Sequence, residues 1–343
     1  MTGSQSYKPP YTLTSAILSL VAEISEAVGR ITALSHDAGG LRLRRINRIH
    51  TIQGTLAIEG NDLSQEQITA ILEGRRVVAP PREIQEVRNA IAVYDRFDQW
   101  RPEYEADLLE AHGLLMQGLI HEPGKYRSGG SGVLGGQRVV HMAPPPGRVP
   151  ELMGRLFNWL ASSREHALIT GAVFHYEFEF IHPFADGNGR MGRLWQSLIL
   201  ARWHPLFADI PVESMILEHQ ADYYRVFQES TNQADCAPFV EFMLNMIMQT
   251  LNTYTPQVSP QVTPQVKRLL EVLRGEMSRE DLQKALNLRD RKSFREVYLK
   301  PALAEGLIEM TMPARQSSRF QKYRLTHSGR RWLGQKPREN KTG

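Results

Sequence analysis

The segment from His182 to Arg193, HPFADGNGRMGR, combines residue types that suit the binding of a phosphate chain. It holds a histidine, an aspartate, an asparagine with a glycine on either side, and two arginines three positions apart. One arginine guanidinium can bind two phosphate oxygens at once, and glycine lets main-chain N–H groups approach an anion closely. So many such residues in twelve positions predict an anion-binding site rather than a helix end with a simple glycine turn.

The elements around this segment should bring its parts to one point. Residues 166–181 have a helical pattern that must stop before Pro183, because a residue preceding proline is disfavoured in the α region. His182 is that residue, and a new helix is predicted from Gly189 to 203. Main-chain N–H groups at the start of this helix would point towards the loop, which favours anions. Arg190 and Arg193 are predicted to share a face of its first turn.

Two other groups in the segment suit defined chemical roles. Asp186 is the one acid among these cations, so it is better explained as a ligand of Mg²⁺ on a phosphate chain than as a phosphate contact. The predicted anion is therefore a nucleoside triphosphate with its metal. His182 lies just before the loop and is placed to take the proton from an incoming hydroxyl.

The segment matches the Fic family motif, H-x-F-x-[DE]-G-N-G-R-x-x-R, at every fixed position. The flanking stretches HYEFEFI (175–181) and DYYRVFQESTNQADCAPFVEF (222–242) also resemble Fic proteins. The resemblance covers most of residues 40–250. It implies an all-helical fold with a small β-hairpin flap, and transfer of AMP from ATP to a hydroxyl side chain of a protein.

The resemblance also implies roles for single residues. His182 would be the general base, Phe184 would anchor the loop in the core, and Asp186 would bind Mg²⁺ or Mn²⁺. Arg193 would pair with the γ-phosphate of ATP. The other nucleotide-binding residues implied are Gly187, Asn188, Gly189, Arg190, Met191, Gly192, Tyr223 and Asn232.

Three of these positions carry finer expectations. Glycine at 189 favours AMP transfer, because the Doc branch of the family, which resembles a kinase more closely, has lysine there. Tyr223 and Asn232 fall where the family contacts the adenosine, although an aromatic helix surface and a loop asparagine would also explain them. The implied reaction is in-line attack on the α-phosphorus with pyrophosphate leaving, while metal and arginines neutralise the developing charge.

The segment TLAIEGN (55–61) ends a predicted helix over 41–59. Glu59 would then lie at the negative end of the helix dipole, where an acid is disfavoured by a few tenths to about 1 kcal/mol. A cation near the Glu59 carboxylate would explain an acid at this position, and so would exposure of the side chain to solvent. The segment resembles the Fic inhibitory motif [ST]-x-x-x-E-[GN], matched by Thr55, Glu59 and Gly60. This implies that a helix at about 42–60 inhibits its own chain, with Glu59 pairing with Arg193 and denying it to the γ-phosphate.

Residues 124–146 are rich in glycine, then in β-branched residues, then in proline. Val133–Leu134 and Arg138–Val140, on either side of GGQ, predict a short β-hairpin, with a surface loop as the alternative. The family resemblance implies a flap formed by Val133, Leu134, Gly135 and Gly136. This flap would hold the substrate segment as an added strand.

The chain divides at a proline repeat. Its 343 residues exceed the usual size of one hydrophobic core, and TPQV, SPQV and TPQV between 255 and 266 favour a stiff linker. We expect a core over 1–253, a linker over 254–263, a second domain over 264–335 and a disordered tail over 336–343. Further helices are predicted over 13–34, 64–74, 83–100, 104–119, 150–162 and 237–252.

The second domain has the element order of a winged helix-turn-helix. Helices are predicted over 264–274, 278–286 and 290–305, followed by strands at Leu307–Met310 and Lys322–Thr326. Residues 264–343 hold 19 Lys and Arg against 9 Asp and Glu, a net charge of +10, whereas the rest of the chain holds 22 against 28. Such a basic region can bind DNA, or it can be a protein-docking or dimerisation module with a solvated basic face.

The bulk composition is that of a globular protein, 41% hydrophobic and 23% charged. Cys236 is the one cysteine, so no disulfide can form within the chain. No leader pattern or membrane-length apolar run is present, and a cytoplasmic location is expected.

We predict a homodimeric protein adenylyltransferase that modifies an unknown protein and itself. The alternatives are a DNA-binding regulator whose Fic core senses ATP, and removal of AMP from modified proteins, with Glu59 orienting a water.

Overall fold

The structure, a computed structural model, describes residues 7–34, 40–135, 138–254, 263–288, 290–304, 306–312 and 321–334. The protein is mostly helical, as predicted. Its contacts divide it into two compact units, one formed by the chain up to 33 with 44–254, the other by 34–43 with the chain from 255 onwards. Residues 255–262 of the expected linker and the expected tail at 336–343 lie outside the described residues.

The chain up to Tyr254 consists of eleven α-helices and one β-hairpin in the residues that the structure describes. The helices are α1 (Ser15–Leu34), α2 (Gly40–Ile58), α3 (Gln65–Leu72), α4 (Pro81–Asp95), α5 (Glu105–Leu115), α6 (Val149–Ser162), α7 (Ala167–Ile181), α8 (Asn188–Trp203), α9 (Val212–Glu218), α10 (Gln220–Gln233) and α11 (Ala237–Tyr254). The strands are β1 (Gly132–Gly135) and β2 (Arg138–Met142). Short 3₁₀ turns lie at Phe97–Gln99, Pro146–Arg148 and Pro205–Ala208.

Most predicted helices are present, with shifted ends. The capping box opens α3, because Ser64 accepts from the Gln67 N–H while the Gln67 side chain accepts from the Ser64 N–H. The helices predicted over 83–100 and 104–119 were too long and end at Asp95 and Leu115. Helices α9 and α10 were not predicted. The first is only seven residues long. The second buries Tyr223, Val226, Phe227 and Ser230 at the spacing of one helix face, so the signal for it was present in the sequence.

Helix α7 is the centre of the first unit. Residues 168–179 and 181 are all buried, which is the pattern of a helix surrounded by others. It packs closely against α8, where a side chain at Gly171 would meet Gln196, and Phe174 and Trp195 fill the core around the pair. The loop between α7 and α8, which carries the chemistry predicted above, is therefore held at both ends by buried helices.

The predicted hairpin is confirmed: β1 and β2 pair in antiparallel fashion, from Gly132 opposite Met142 to Gly135 opposite Arg138. The register shifts by one residue between Val133 and Leu134, which is a bulge. Gly136, predicted as part of the flap, lies outside the described residues. No helix in the described part of the chain is long and apolar enough to cross a membrane.

The second unit has its own apolar core, which includes Leu269, Leu282, Phe294 and Leu307. Its elements are α12 (Pro264–Val272), β3 (Met277–Ser278), α13 (Arg279–Ala285), α14 (Arg291–Ser293), a π-helical stretch (Phe294–Leu299), α15 (Lys300–Ala304), β4 (Ile308–Met310), β5 (Lys322–Leu325) and α16 (His327–Gly334). The sheet is antiparallel in the order β3-β5-β4. Strand β3 and helix α16 were not predicted, and the winged-helix assignment stays a prediction.

Candidate active site

The loop between α7 and α8 has two residues in the left-handed conformation. His182 ends α7 with φ 49° and ψ 61°, just before Pro183. Gly187, with φ 85°, caps the start of α8. A side chain at Gly187 would also come within 2.7 Å of the Met116 sulfur, so both the backbone conformation and the space require glycine there.

Side chains fold the loop into a fixed shape. Asn188 Oδ1 accepts from the Phe184 N–H and Asn188 Nδ2 donates to the Phe184 carbonyl, both at 2.9 Å. His112 of α5 stacks on the Phe184 ring, with centroids 3.6 Å apart. Its Nδ1 accepts from the Gly124 N–H, which leaves Nε2–H to donate to the Asp186 carbonyl at 3.0 Å. Burial lowers the pKa of His112 to about 4, so the ring is neutral.

A cavity of about 330 Å³ opens over this loop. Many of the predicted residues line it together: Glu59, Val133, His182, Asp186, Gly187, Asn188, Gly189, Arg193 and Tyr223. Loop main-chain groups and the N-terminus of α8 form one wall, and β1 forms another. A helix N-terminus with glycines beside a buried arginine is a suitable place for a phosphate chain.

Four predicted nucleotide contacts do not line the cavity. Met191 is fully buried, and Gly192 packs against His175. Arg190 is buried and turns to Asp186, with its Nη2 3.0 Å from Oδ1. Asn232 is exposed at the end of α10. It lies nine positions after Tyr223, which at 100° per residue puts it on the opposite face of the helix, a relation that could not be seen without predicting α10.

Arg193 is engaged by α2 rather than free. Its side chain is 1% exposed, and its Nη2 lies 2.6 Å from Glu59 Oε1. Its Nε donates to Thr55 Oγ1 and Nη2 donates to the Thr55 carbonyl, both at 3.0 Å. Burial lowers the pKa of Arg193, but Glu59, Tyr223 and Glu179 together outweigh burial, so the pKa is raised overall. A side chain at Gly189 would overlap Glu59 Oε1, so this carboxylate lies directly over the start of α8.

His182 lies beside a second buried acid. Its Nδ1 is 3.5 Å from Glu179 Oε2, and the Glu179 side chain is 5% exposed. Burial raises the pKa of Glu179, but His182, His175 and Arg193 outweigh it, so the pKa is lowered and the carboxylate is ionised. Glu179 lies within the stretch 175–181 that resembles Fic proteins, but no role was predicted for it. Its spacing of three residues on a helix that ends at His182 was the available signal.

Tyr223 reaches the same cluster from α10. It is 3% exposed, and its hydroxyl is 3.1 Å from His175 Nε2. His175 Nδ1 lies 2.6 Å from Gln196 Oε1. Burial lowers the pKa of His175 to about 4, so this histidine is a neutral support for Tyr223 rather than a proton carrier. The hydroxyl of Tyr223 is therefore bonded within the protein, while the residue also lines the cavity.

Asp186 is the residue that fits a metal. Its side chain is 40% exposed at the cavity edge, with Oδ2 3.1 Å from Arg82 Nη2. Among the described residues, no three His, Cys, Asp or Glu side chains form a metal cluster. One carboxylate beside a phosphate cradle suits Mg²⁺ or Mn²⁺ that arrives with a nucleotide, since Mg²⁺ is commonly held by one or two carboxylates plus substrate phosphates.

The fold and this loop define a helical protein in which a glycine-rich loop between two buried helices borders a cavity. Residues 100–200 match the Fic/DOC family, and residues 264–326 match the C-terminal domain of "Filamentation induced by cAMP protein Fic-like". The crystal structure of a Fic family protein from Desulfovibrio desulfuricans G20 is 53% identical, with a TM-score of 0.72, over 94% of this chain and 99% of that one. The chain belongs to the Fic family.

More distant relatives carry a named activity. Protein adenylyltransferase Fic from Culex quinquefasciatus is 31% identical over 67% of this chain, and that from Aedes aegypti is 31% identical over 60%. The chain spans only 45% and 41% of the lengths of these two relatives. Fic-1 from C. elegans is 25% identical, with a TM-score of 0.56, over 70% of both chains.

Proposed function

We propose that the protein transfers AMP from ATP to a hydroxyl side chain of a protein, and that Glu59 restrains this activity. The observation that carries the proposal is that His182 and Arg193 line the same cavity of about 330 Å³, next to the glycine loop at the start of α8. Relatives named protein adenylyltransferase Fic support it. Glycine at 189 supports AMP transfer over phosphorylation, as expected from the sequence.

His182 acts as the base in this proposal. Its Nδ1 faces the Glu179 carboxylate, so Nδ1 carries the proton and Nε2 is left to accept one from the attacking hydroxyl. The hydroxyl oxygen forms a bond to the α-phosphorus, the bond to the β-phosphate oxygen breaks, and pyrophosphate leaves. Glu179 then stabilises the positive imidazolium ring, as a buried acid beside a catalytic histidine does in other enzymes.

The phosphates of ATP lie over the start of α8 in this proposal. Main-chain N–H groups of Asn188 and Gly189 contact the α- and β-phosphates, and Arg193 contacts the γ-phosphate. Gly187 borders the phosphates, but its own N–H donates to Asp186 Oδ1 at 2.6 Å. Asp186 holds the metal, which neutralises phosphate charge when bound. Arg190 supports the site indirectly, since its guanidinium bonds the Asp186 carboxylate and lies 3.6 Å from that of Glu86. It orients the metal ligand instead of contacting phosphate directly.

Inhibition follows from the position of the Glu59 carboxylate. It lies over Gly189, in the space where the cradle would hold a negative group, and it binds the arginine assigned to the γ-phosphate. A bound triphosphate would then bend away from Arg193, and its α-phosphorus would not be in line with the attacking hydroxyl. A misplacement of about 1 Å can cost about a hundredfold in rate.

The test uses ATP labelled in the α- or the γ-phosphate, with the wild-type chain and the Glu59→Gly variant. We expect label from α-labelled ATP on the protein, more strongly in the variant, and none from γ-labelled ATP. Label from the γ-phosphate would mean phosphorylation. No label from either, together with ATP binding, would support a nucleotide-sensing core.

A second candidate is removal of AMP from modified proteins at the same cavity. Glu59 supports it, because its side chain is one third exposed and lines the cavity with His182, where it can hold a water. The test is to incubate AMP-modified protein with the wild-type chain and with Glu59→Gln. Release of AMP by the wild type and its loss in the variant would support this reaction.

We propose that the second unit is a winged-helix module that contacts DNA. Arg291, Lys292 and Arg295 are exposed at the start of its third helical stretch. Glu296 partly offsets them, since its carboxylate lies 3.8 Å from Arg295 and 2.7 Å from Lys300. Protein docking is the alternative, and it is favoured if duplex DNA does not bind even at low salt.

A further inference from the structure

The carbonyl groups at the end of α7 are paired with side chains of the flap segment. A helix leaves its last carbonyls without partners of its own. Here His141 of β2 donates from Nε2–H to the Phe180 carbonyl at 2.8 Å, and its ring stacks on Phe180. Arg127, which precedes β1, donates from Nη2 to the Ile181 carbonyl at 3.3 Å. The helix end that carries the base is therefore completed by residues on both sides of the flap.

Arg127 makes the larger number of these bonds. Its Nε donates to the His182 carbonyl at 2.7 Å, and its own main-chain N–H donates to the Pro183 carbonyl at 2.9 Å. Its Nη1 donates to the Gly129 carbonyl at 2.8 Å, and Nη2 donates to the Pro144 carbonyl at 2.5 Å. Gly129 lies before β1 and Pro144 lies after β2. One guanidinium thus joins both ends of the hairpin to the backbone of His182.

This guanidinium is an unusual charge for a protein interior. Arg127 is 6% exposed, and no carboxylate of the described residues lies within ion-pair distance of it. Burial without an acid is costly and lowers the pKa of Arg127. The negative end of the α7 dipole compensates in part. Lysine would keep the charge, but its single ammonium cannot reproduce a planar fork that reaches carbonyls in several directions.

We propose that Arg127 is a positioning residue that sets the distance between the flap and His182, so that a hydroxyl on a strand added to the flap arrives at the base. The inference rests on the proposed AMP transfer and flap. The left-handed conformation of His182 is one that its surroundings must maintain, so loss of the bond to its carbonyl should shift the ring. Water is not held by the flap, so its attack on ATP depends less on this distance.

The proposal is tested by how AMP from ATP is divided between two acceptors, a protein hydroxyl and water. We would compare Glu59→Gly with Glu59→Gly carrying Arg127→Lys, and measure labelled protein and free labelled AMP from α-labelled ATP in one reaction. Labelled protein should fall by about tenfold and free AMP by less than about threefold, because only the protein hydroxyl is positioned by the flap. Arg202→Lys is the control for the same exchange at an exposed arginine, since the Arg202 guanidinium also donates to a main-chain carbonyl, that of Trp100 at 2.7 Å, and does not line the cavity.

An unchanged ratio of labelled protein to free AMP would overturn the proposal, because a purely structural arginine would affect both reactions alike.

Hydrogen exchange tests the same proposal without measuring enzyme activity. Amides in 129–144 and in 178–186 should exchange faster together in Arg127→Lys and stay unchanged in Arg202→Lys. Unchanged exchange in the flap would refute the coupling. Absence of any labelled product in the Glu59→Gly parent would instead refute AMP transfer, and the exchange result would still decide the coupling.

Discussion

Removal of the Glu59 charge should activate the protein, and the structure suggests by how much. Arg193 is fully buried and gives three hydrogen bonds, of which two go to Thr55 and one to the Glu59 carboxylate. A hydrogen bond to a charged group contributes about 1.5–3 kcal/mol. Glu59 is one third exposed, so the lower end of that range applies. Release of Arg193 should therefore lower the barrier by about 1.5 kcal/mol, which is slightly more than about tenfold in rate.

The assay is label incorporation from α-labelled ATP into the protein itself. Glu59→Gly should give at least about tenfold more label than wild type, and Glu59→Gln should give less, because its amide oxygen still accepts from Arg193. Glu218→Gln is the matched control, an exposed acid at the end of α9. Arg193→Ala should stay inactive with or without Glu59→Gly. Equal incorporation in wild type and both Glu59 variants would mean that Glu59 is a surface acid without an inhibitory role.

Four further outcomes follow from the geometry. His182→Ala should abolish AMP transfer while ATP binding, measured by calorimetry, stays within about threefold; His182→Asn should do the same with less loss of stability, since asparagine tolerates the left-handed conformation. Asp186→Asn should raise the Mg²⁺ concentration needed for half-maximal label, and an unchanged requirement would remove Asp186 from the metal site. Burial raises the pKa of Glu213 to about 7 from an ordinary 4.5, so its ionisation destabilises the folded protein as the pH rises through that window. Glu213→Gln should therefore raise Tm at about pH 8 and leave it unchanged at about pH 4.5, and equal Tm values at both would contradict the burial argument. If the full chain binds duplex DNA, alanine at Arg291 and Lys292 should lower the slope of log affinity against log salt by about two.

The sequence predicted those parts of the site that follow one another along the chain. The proline after His182 and the glycines after it determine the loop, so its place between two helices was foreseen. Arg190 bonds Asp186 in the structure, a contact that was not predicted, because a shared helix face does not show which neighbours each side chain meets. Glu86 and Arg82, which turn Arg190 and Asp186 towards α4, are about a hundred residues away and carry no motif.

Long-range support was equally hidden. His112 and Arg127 have ordinary sequence surroundings, and only the folded chain brings them against the loop. Helix α10 was not predicted, although its buried residues Tyr223, Val226 and Phe227 have the spacing of one helix face. Without this helix, the sequence could not show that Asn232 lies on the opposite helix face from Tyr223. Contacts between residues far apart in the chain depend on how the helices pack, and a single sequence considered alone does not contain that information.

The contact between His112 and the Asp186 carbonyl has a consequence for how the protein folds. It closes a long stretch of chain, from α5 through the hairpin to the start of α8. Non-local contacts of this kind form late, since loop-closure entropy must be overcome first. The phosphate cradle should therefore not exist in partly folded chains. Nucleotide binding would then report completed folding of the first unit, so ATP should raise the Tm of this unit by mass action.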